Sequence, residues 1–475
     1  MKLRQLFIFL FILASVRVLT GTPASDIGTI LTDPILKGTS VAIVISDLDS
    51  GEALYELNPA KSFIPASNMK LVTAAAAIVA LGPSKRITTD ILADAFKPET
   101  GAVYNILIRG HGDPTMSENF FSSNREAIDK LAGEMFLNGI RTIKGNIILD
   151  SSYFPTDGYP TGWNAEDTYY CYAPRNSALT IAANCLKLTV SADKDNKNVN
   201  VDFDPPLSST AVRVNIQRVW RGKSSITIGE GADGKFTISG RIRVGQSVSR
   251  EYPVKNPVMF FGSALESSLK RAGIAFQGKL INAANWKGDR SNFRLLFQFY
   301  SPDLMEILTE MQHESDNFVA EQLLRMTGAE EAGKGTPAAG ATEAEKILHR
   351  YKMATAQNLS IYDGSGLSRL NRLAPQVLIK ILKTFYYSQQ RENFMATLAA
   401  PGEKGTMEKR LTGTSAVGRL RAKTGALRGA CALSGYYRRP NGNTAAFVML
   451  FNGYTVHSNH IRELQDKIVK IMMEL

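Results

Sequence analysis

The 475-residue sequence is poor in side chains that hold metals, with three cysteines and five scattered histidines. No Cys/His spacing of a metal site occurs, so neither a metal nor another cofactor is expected. Long apolar runs are missing as well: beyond the N-terminus no segment approaches the roughly 20 residues needed to span a bilayer. Clusters of Lys and Arg and nucleic-acid motifs are also absent, which sets nucleic acid aside as a partner. The composition, 44% hydrophobic and 21% charged, is that of a folded chain. Its length exceeds one compact core, so two or three domains are expected.

The N-terminus has a basic start, "MKLRQ", an apolar stretch, "LFIFLFILASV", and a small-residue site, "GTPAS". This is the pattern of an export signal cut near Ala24. Arg17 keeps the apolar run too short for a span, and no cysteine near the cut offers a lipid anchor. Residues 1–24 carry Lys2, Arg4 and Arg17 and no acid, so their removal takes the net charge from +11 to +8. A basic exported protein suits an anionic surface such as a membrane or a cell wall. Cys171 and Cys185, 14 residues apart, can pair in an oxidising compartment or stay as two buried thiols. Cys431, in an apolar strand pattern, reads as core.

"SVAIVISDLDSGEALYELN" reads as a β-hairpin around "DSGE". The apolar helix "NMKLVTAAAAIVALG" follows and closes at Gly82. From residue 89 to 289 the texture is β-rich, with short strands such as "CLKLTVSA" and "KFTISGRIRVG" and one closing helix, "FFGSALESSLKRAG". Helices return with "PDLMEILTEMQ" and "DNFVAEQLLRM", then a Gly/Ala-rich stretch, "GAEEAGKGTPAAGATEAE", reads as a surface loop. Strands come back in "GRLRAKTGALRGACALSGYY" and "TAAFVMLFNGY" before an amphipathic terminal helix. That helix is expected to pack on the domain, with peripheral membrane contact as the alternative. The order implies an α+β multidomain chain. Residues 25–88 and 290–475 form one domain, and 89–289 a β-rich insert of two subdomains.

"FIPASNMK" raises the chemistry. A serine hydroxyl is a weak nucleophile until a base takes its proton, and a lysine with a lowered pKa can be that base. At i and i+3 of a helix, Ser67 and Lys70 face the same way. S-x-x-K occurs three times, at Ser67/Lys70, Ser191/Lys194 and Ser267/Lys270, close to the two matches chance would give. The first match alone opens an apolar helix. Ser315 and Asn317 in "HESDNF" form an S-x-N where another helix begins, with Ser315 or Asp316 as its cap. Ser117/Asn119 and Ser122/Asn124 share that spacing. Lys423-Thr424-Gly425 is the only K-T-G and starts a strand pattern. The ordered trio S-x-x-K, S-x-N, K-T-G is the signature of acyl-serine enzymes that recognise penicillin.

With these motifs, and with "LIRGHGDPTM", "IKGNIILDSSYF", "YAPRNSALTIAANCLKLTV" and "YDGSGLSRLN", residues 38–475 resemble the low-molecular-mass class C penicillin-binding proteins. These act as D-alanyl-D-alanine carboxypeptidase/endopeptidases and carry a large insert between the first two motifs. The resemblance implies a transpeptidase-like (serine beta-lactamase-like) domain acting on peptidoglycan stem peptides in the periplasm or cell envelope, with beta-lactams as covalent inhibitors. It implies Ser67 as nucleophile, Lys70 as base, Ser315 as proton relay, Lys423 as its electropositive neighbour and Asn317 as the residue orienting Lys70 and substrate. The N–H groups of Ser67 and Ala426 would form the oxyanion hole, and Thr424, beside Gly425, would hold the substrate carboxylate. Ala426 departs from the hydroxyl residue common after K-T-G, and Arg428 is the candidate to compensate. A diaminopimelate side chain carries an ammonium and a carboxylate and wants an acid and an arginine. Arg369 and, in the insert, Trp163 with Glu166 or Asp167 are the candidates, against solvated loop charges. Two other readings compete. A beta-lactamase would need an added deacylation base, which the sequence does not display, and a cell-wall scaffold would not need the intact motifs.

Overall fold

The computed structural model describes residues 23–155, 158–194 and 198–475. The expected export signal, as far as residue 22, lies outside them.

The hairpin forms as expected. Strands Ser40–Asp47 and Ala53–Leu57 pair antiparallel, and the Asp47 carboxylate accepts the Asp49 and Ser50 N–H groups in the turn. The hairpin then joins the other end of the chain. Ser40–Asp47 pairs over its whole length with Thr444–Asn452, which pairs with Ala430–Arg438, which pairs with Leu420–Leu427. The result is one five-stranded antiparallel sheet, with the K-T-G strand at one edge and Ala53–Leu57 at the other.

Both faces of this sheet are covered. On one lies the terminal helix Ser458–Met472, whose Ile461, Leu464, Ile468 and Val469 pack with Phe447, Met449 and Phe451. The apolar face of this helix is therefore buried within the chain, as the packing expectation has it. On the other face lie the Met69–Leu81 helix and the helices around it. Apart from Lys70 and Thr73, Met69–Leu81 is apolar all round, as suits a helix buried on every side, and every residue from Met69 to Ile78 is buried.

Strands Arg86–Ala93 and Arg294–Asp303 lead out and back side by side. They belong to a second five-stranded sheet, in the order Leu280–Asn282, Ile147–Asp150, Ile106–Gly110, Arg86–Ala93, Arg294–Asp303. Three three-stranded sheets accompany it, one of them Gln246–Pro253, Cys185–Ala192 and Asn200–Asp204. These share a separate apolar core. It contains a helix that the strand-and-turn reading misses, Asn124–Leu137. The Ser123 hydroxyl caps it, accepting from Glu126 N, and Ala127, Ile128, Leu131, Ala132 and Met135 form its buried face.

A second correction concerns the Gly/Ala-rich stretch. It is not a loop but the end of helix Asn317–Ala332 and most of helix Pro337–Arg350, with Thr336 as cap and Pro337 in the first turn. The glycines serve packing. A Cβ on Gly340 would lie 2.1 Å from the Leu324 carbonyl oxygen, and one on Gly328 would lie 2.6 Å from Gly340 N. Small residues let these two helices touch backbone to backbone, so the composition that resembles a loop is an interface.

Candidate active site

Ser67 lies in a single 3-10 turn, Ala66–Asn68, that leads into the Met69–Leu81 helix. Ala66 before it has φ +48°, a left-handed conformation that a non-glycine residue adopts at a cost of about 1–3 kcal/mol. Asn68 ties the turn to the opposite wall, donating from Nδ2 to the Lys423 carbonyl at 3.1 Å. Gly425 closes that contact: a Cβ there would come within 3.0 Å of Ser67 N. The glycine of K-T-G is thus set by the close approach of the edge strand to the serine backbone.

Lys70 points back at Ser67. Its Nζ lies 3.3 Å from Ser67 Oγ, 2.7 Å from Asn317 Oδ1 and 2.7 Å from the Ser365 carbonyl oxygen. It is fully buried. Burial pushes its pKa down to about 8, against the opposing pull of Asp363, Asp316 and Glu321. Lys423 is also fully buried, and burial and then the charge of Lys70 hold its pKa well below the ordinary range. Its Nζ donates to the Thr424 carbonyl at 3.0 Å.

Ser315 has φ +60° and sits between helices Leu304–His313 and Asn317–Ala332. Asp316, not Ser315, caps the second helix, accepting from Val319 N at 3.0 Å. Ser315 lines the cleft, and the cap is left to Asp316. Asn317 then bridges two walls: its Oδ1 meets Lys70, and its Nδ2 donates to the Tyr172 carbonyl of the insert at 3.0 Å.

The K-T-G strand is the open edge of its sheet. The Ala422 N–H donates away from that sheet, to the Ala399 carbonyl at 2.8 Å. With the two-residue period of a strand, the N–H groups of Thr424 and Ala426 face the same side. The cleft of about 730 Å³ between the strand and the serine is lined by Ser67, Ser315, Thr424, Gly425 and Ala426 at one end. At the other it is lined by Thr406, Arg410, Asn459, Arg462 and Asp466. Arg410 is fixed there by Asp466 at 2.6 Å. No motif marks this far end, because its residues come from a loop and a terminal helix whose sequence reads as ordinary packing.

The substrate-pocket candidates separate. Trp163 is drawn into the network, its Nε1–H donating to Asp363 Oδ2 at 2.8 Å. Asp167 accepts from the Tyr172 hydroxyl at 2.7 Å and from Asn164 Nδ2 at 3.1 Å, whereas Glu166 is exposed to solvent. Arg369 donates to the Arg428 carbonyl at 2.8 Å, beside the end of the K-T-G strand. Arg428 itself is exposed. Cys171 and Cys185 form a disulfide, which anchors the segment carrying Tyr172 to the strand Cys185–Ala192. Among the described residues, the one grouping with metal-ligand spacing is Cys171, Cys185 and Glu251, and the disulfide occupies both sulfurs. Also among the described residues, no helix is long and apolar enough to cross a membrane.

Comparison with known proteins gives the same family from sequence and from fold. The model of the D-Ala-D-Ala carboxypeptidase 3 (S13) family matches residues 24–475. A D-alanyl-D-alanine carboxypeptidase of Actinomadura sp. (strain R39) is 30% identical over 444 residues, covering 90% of this chain and 81% of that protein. The crystal structure of penicillin binding protein 4 from Haemophilus influenzae superimposes with a TM-score of 0.78 at 23% identity, over 95% of this chain and 99% of the other. The same protein complexed with a beta-lactam superimposes with a TM-score of 0.73 at 22% identity over the same shares. The fold is thus that of the penicillin-recognising enzymes, and the chain belongs to the D-Ala-D-Ala carboxypeptidase 3 (S13) family, as a serine-type D-alanyl-D-alanine carboxypeptidase.

Proposed function

We propose that this carboxypeptidase is exported and cleaves the terminal D-Ala–D-Ala bond of peptidoglycan stem peptides through an acyl-Ser67 intermediate. The observation that carries this reading is the buried Lys70 amine, 3.3 Å from Ser67 Oγ, with its pKa pushed down to about 8. Ser67 Oγ attacks the carbonyl of the penultimate residue while Lys70 takes its proton. The N–H groups of Ser67 and Ala426 receive the oxyanion. Ser315, across the cleft, passes a proton to the leaving amine, with Lys423 behind it. Water then cleaves the ester and restores Ser67. Asn317 holds Lys70 and the substrate amide, and Thr424 beside Gly425 takes the free carboxylate, a role that the side chain of Ala426 cannot share.

Two further assignments complete the reading. The side chain of the stem peptide meets Trp163, Arg369 and an acid of the insert. Asp167 is the better candidate, because Tyr172 and Asn164 hold its carboxylate beside the Asn317 contact. A single D-alanine fills little of a cleft of about 730 Å³, and the length that runs to Arg410 and Arg462 suits the peptide of a second strand, hence endopeptidase action on cross-links.

The experiment is intact-mass spectrometry of the mature protein with benzylpenicillin, followed by peptide mapping. The expected result is a stable adduct on Ser67 that is absent in Ser67→Ala. Intact penicillin with no adduct, or hydrolysed penicillin with no adduct, would each replace this reading, the first by a non-catalytic binder and the second by a beta-lactamase.

A further inference from the structure

Behind Lys70 lies a turn that none of the three motifs includes, Asp363-Gly364-Ser365-Gly366. It is wedged between two helices and held by both of its backbone faces. Its carbonyls point at the Met69–Leu81 helix: Ser365 O accepts from Lys70 Nζ at 2.7 Å and Gly364 O accepts from Thr73 Oγ1 at 2.7 Å. Its N–H groups point at the Asn317–Ala332 helix, where a single oxygen, Glu321 Oε1, accepts both Gly364 N at 3.0 Å and Ser365 N at 2.8 Å. Asp363 closes the turn on itself, accepting from Gly366 N, Ser368 N and Asn371 Nδ2. The glycines are required by contact. A Cβ on Gly366 would lie 1.9 Å from the Ala66 carbonyl oxygen, and one on Gly364 would lie 2.6 Å from the Ala320 carbonyl oxygen. The turn therefore touches the residue before the nucleophile as well as the base.

Glu321 is wholly buried, and its second oxygen, Oε2, has no partner among the described residues. A buried carboxyl costs stability unless something requires it. What this one does is hold the two successive peptide units, Asp363–Gly364 and Gly364–Ser365, that lead into the Ser365 carbonyl, an acceptor of the Lys70 amine. We propose that Glu321 is a positioning residue of the reaction: through the Gly364–Ser365 amides it sets the carbonyl that aims the Lys70 amine at Ser67. The inference rests on the acyl-Ser67 reading above. Its range is short, since a carbonyl displaced by about 1 Å releases the amine to other acceptors, and misplacement of that size can lower a rate by about 10²-fold.

The charged groups that face Lys70 are Asp316 and Glu321 from the Asn317–Ala332 helix end and body, Asp363 from the turn and Lys423 from the edge strand. Burial and the nearby Asp363 push the Glu321 carboxyl up to about 7, so it titrates close to Lys70. An amide at 321 keeps the acceptor and removes one negative charge that favours the Lys70 ammonium. An alanine removes both.

The test is stopped-flow acylation of Ser67 by a fluorescent penicillin, resolved into reversible binding and the acylation step. It would be run from pH 6 to pH 10 on wild type, Glu321→Gln and Glu321→Ala, with melting curves for each. For Glu321→Gln we expect an acylation step within about threefold of wild type at its plateau and an acid limb displaced to lower pH. For Glu321→Ala we expect the step to fall about 10²-fold with reversible binding nearly unchanged. Should the alanine variant not fold, Glu321→Asp, one methylene too short to reach both amides, takes its place and should show the same loss. A wild-type acylation step in the alanine or aspartate variant overturns the inference, as does an equal fall in the glutamine variant. If wild type itself is not acylated, the acyl-Ser67 reading fails instead, and the two failures are told apart.

Discussion

The cleft has two walls of different construction. On one side stand Ser67, Lys70 and the K-T-G strand, with Lys70 and Lys423 wholly buried and each contact made between segments locked into the sheet or its covering helices. On the other side stands the insert segment around residues 163–172, largely exposed, with the stacked rings of Tyr170 and Tyr172 open to solvent. The first wall is set by packing and, on the function proposed above, holds the chemistry. The second is set by a few polar ties and a disulfide, and it meets the first at two points, Tyr172 O to Asn317 and Trp163 to Asp363. A reacting group needs a fixed position and a lowered dielectric, whereas a specificity wall needs access for substrate. The difference predicts that perturbing the buried wall abolishes turnover, while perturbing the exposed wall grades it.

The largest effect should come from Lys70→Ala. Loss of the proposed base is expected to slow Ser67 acylation by about 10²–10⁴-fold with reversible penicillin binding retained, as read by stopped-flow fluorescence. A variant acylating at the wild-type rate would place the base elsewhere. Next in size is the effect of pH. Burial lowers the Lys70 pKa to about 8, so the neutral amine is present above that pH and is lost as pH falls through it. Acylation should drop about tenfold per pH unit on the acid side, roughly 10²-fold between pH 8 and pH 6, and a flat profile would contradict Lys70 as base.

The exposed wall should respond more gently. Cys171→Ser with Cys185→Ser removes a cross-link that closes a loop of about 15 residues, worth roughly 3 kcal/mol of local constraint. We expect about a tenfold fall in kcat/KM on a stem-peptide substrate and a smaller change with penicillin. Equal losses on both would show that the insert acts on the buried wall rather than on specificity. The smallest effect belongs to Trp163→Phe, which keeps the ring and removes the N–H bond to Asp363. The other donors to that carboxylate remain, so a loss of about 1 kcal/mol, or roughly fivefold in kcat/KM, is expected from steady-state kinetics. No change would sever the link between Trp163 and the turn beneath Lys70.

How much of this can be read from residues alone follows the same division. Ser67, Lys70 and Lys423-Thr424-Gly425 are legible because each motif is short, local and placed at the start of an apolar helix or strand. Ser315 is legible as a motif but not in its geometry, since nothing in "HESDNF" announces a non-glycine residue at φ +60°. "YDGSGLSRLN" marks the Asp363–Gly366 turn as a family pattern but not its contacts, because its partners, Glu321 and Thr73, are separated from it by 42 and 290 residues. A glycine required by a distant carbonyl looks like any turn glycine. The 124–137 helix is hidden by its mixed composition, though its buried spacing is helical. The helix at 337–350 is masked by the glycines that let it pack.

The joining of both chain ends in one sheet has a consequence in time. Ser67 and Lys70 are made early, but the wall facing them is the edge of a sheet that closes only when Thr444–Asn452 pairs with Ser40–Asp47. A chain still emerging from synthesis carries Ser67 and Lys70 without the K-T-G strand that faces them. On the acyl-Ser67 reading, such a chain is expected to stay inactive until nearly its last strand pairs, so that completion of the sheet is also the assembly of the site.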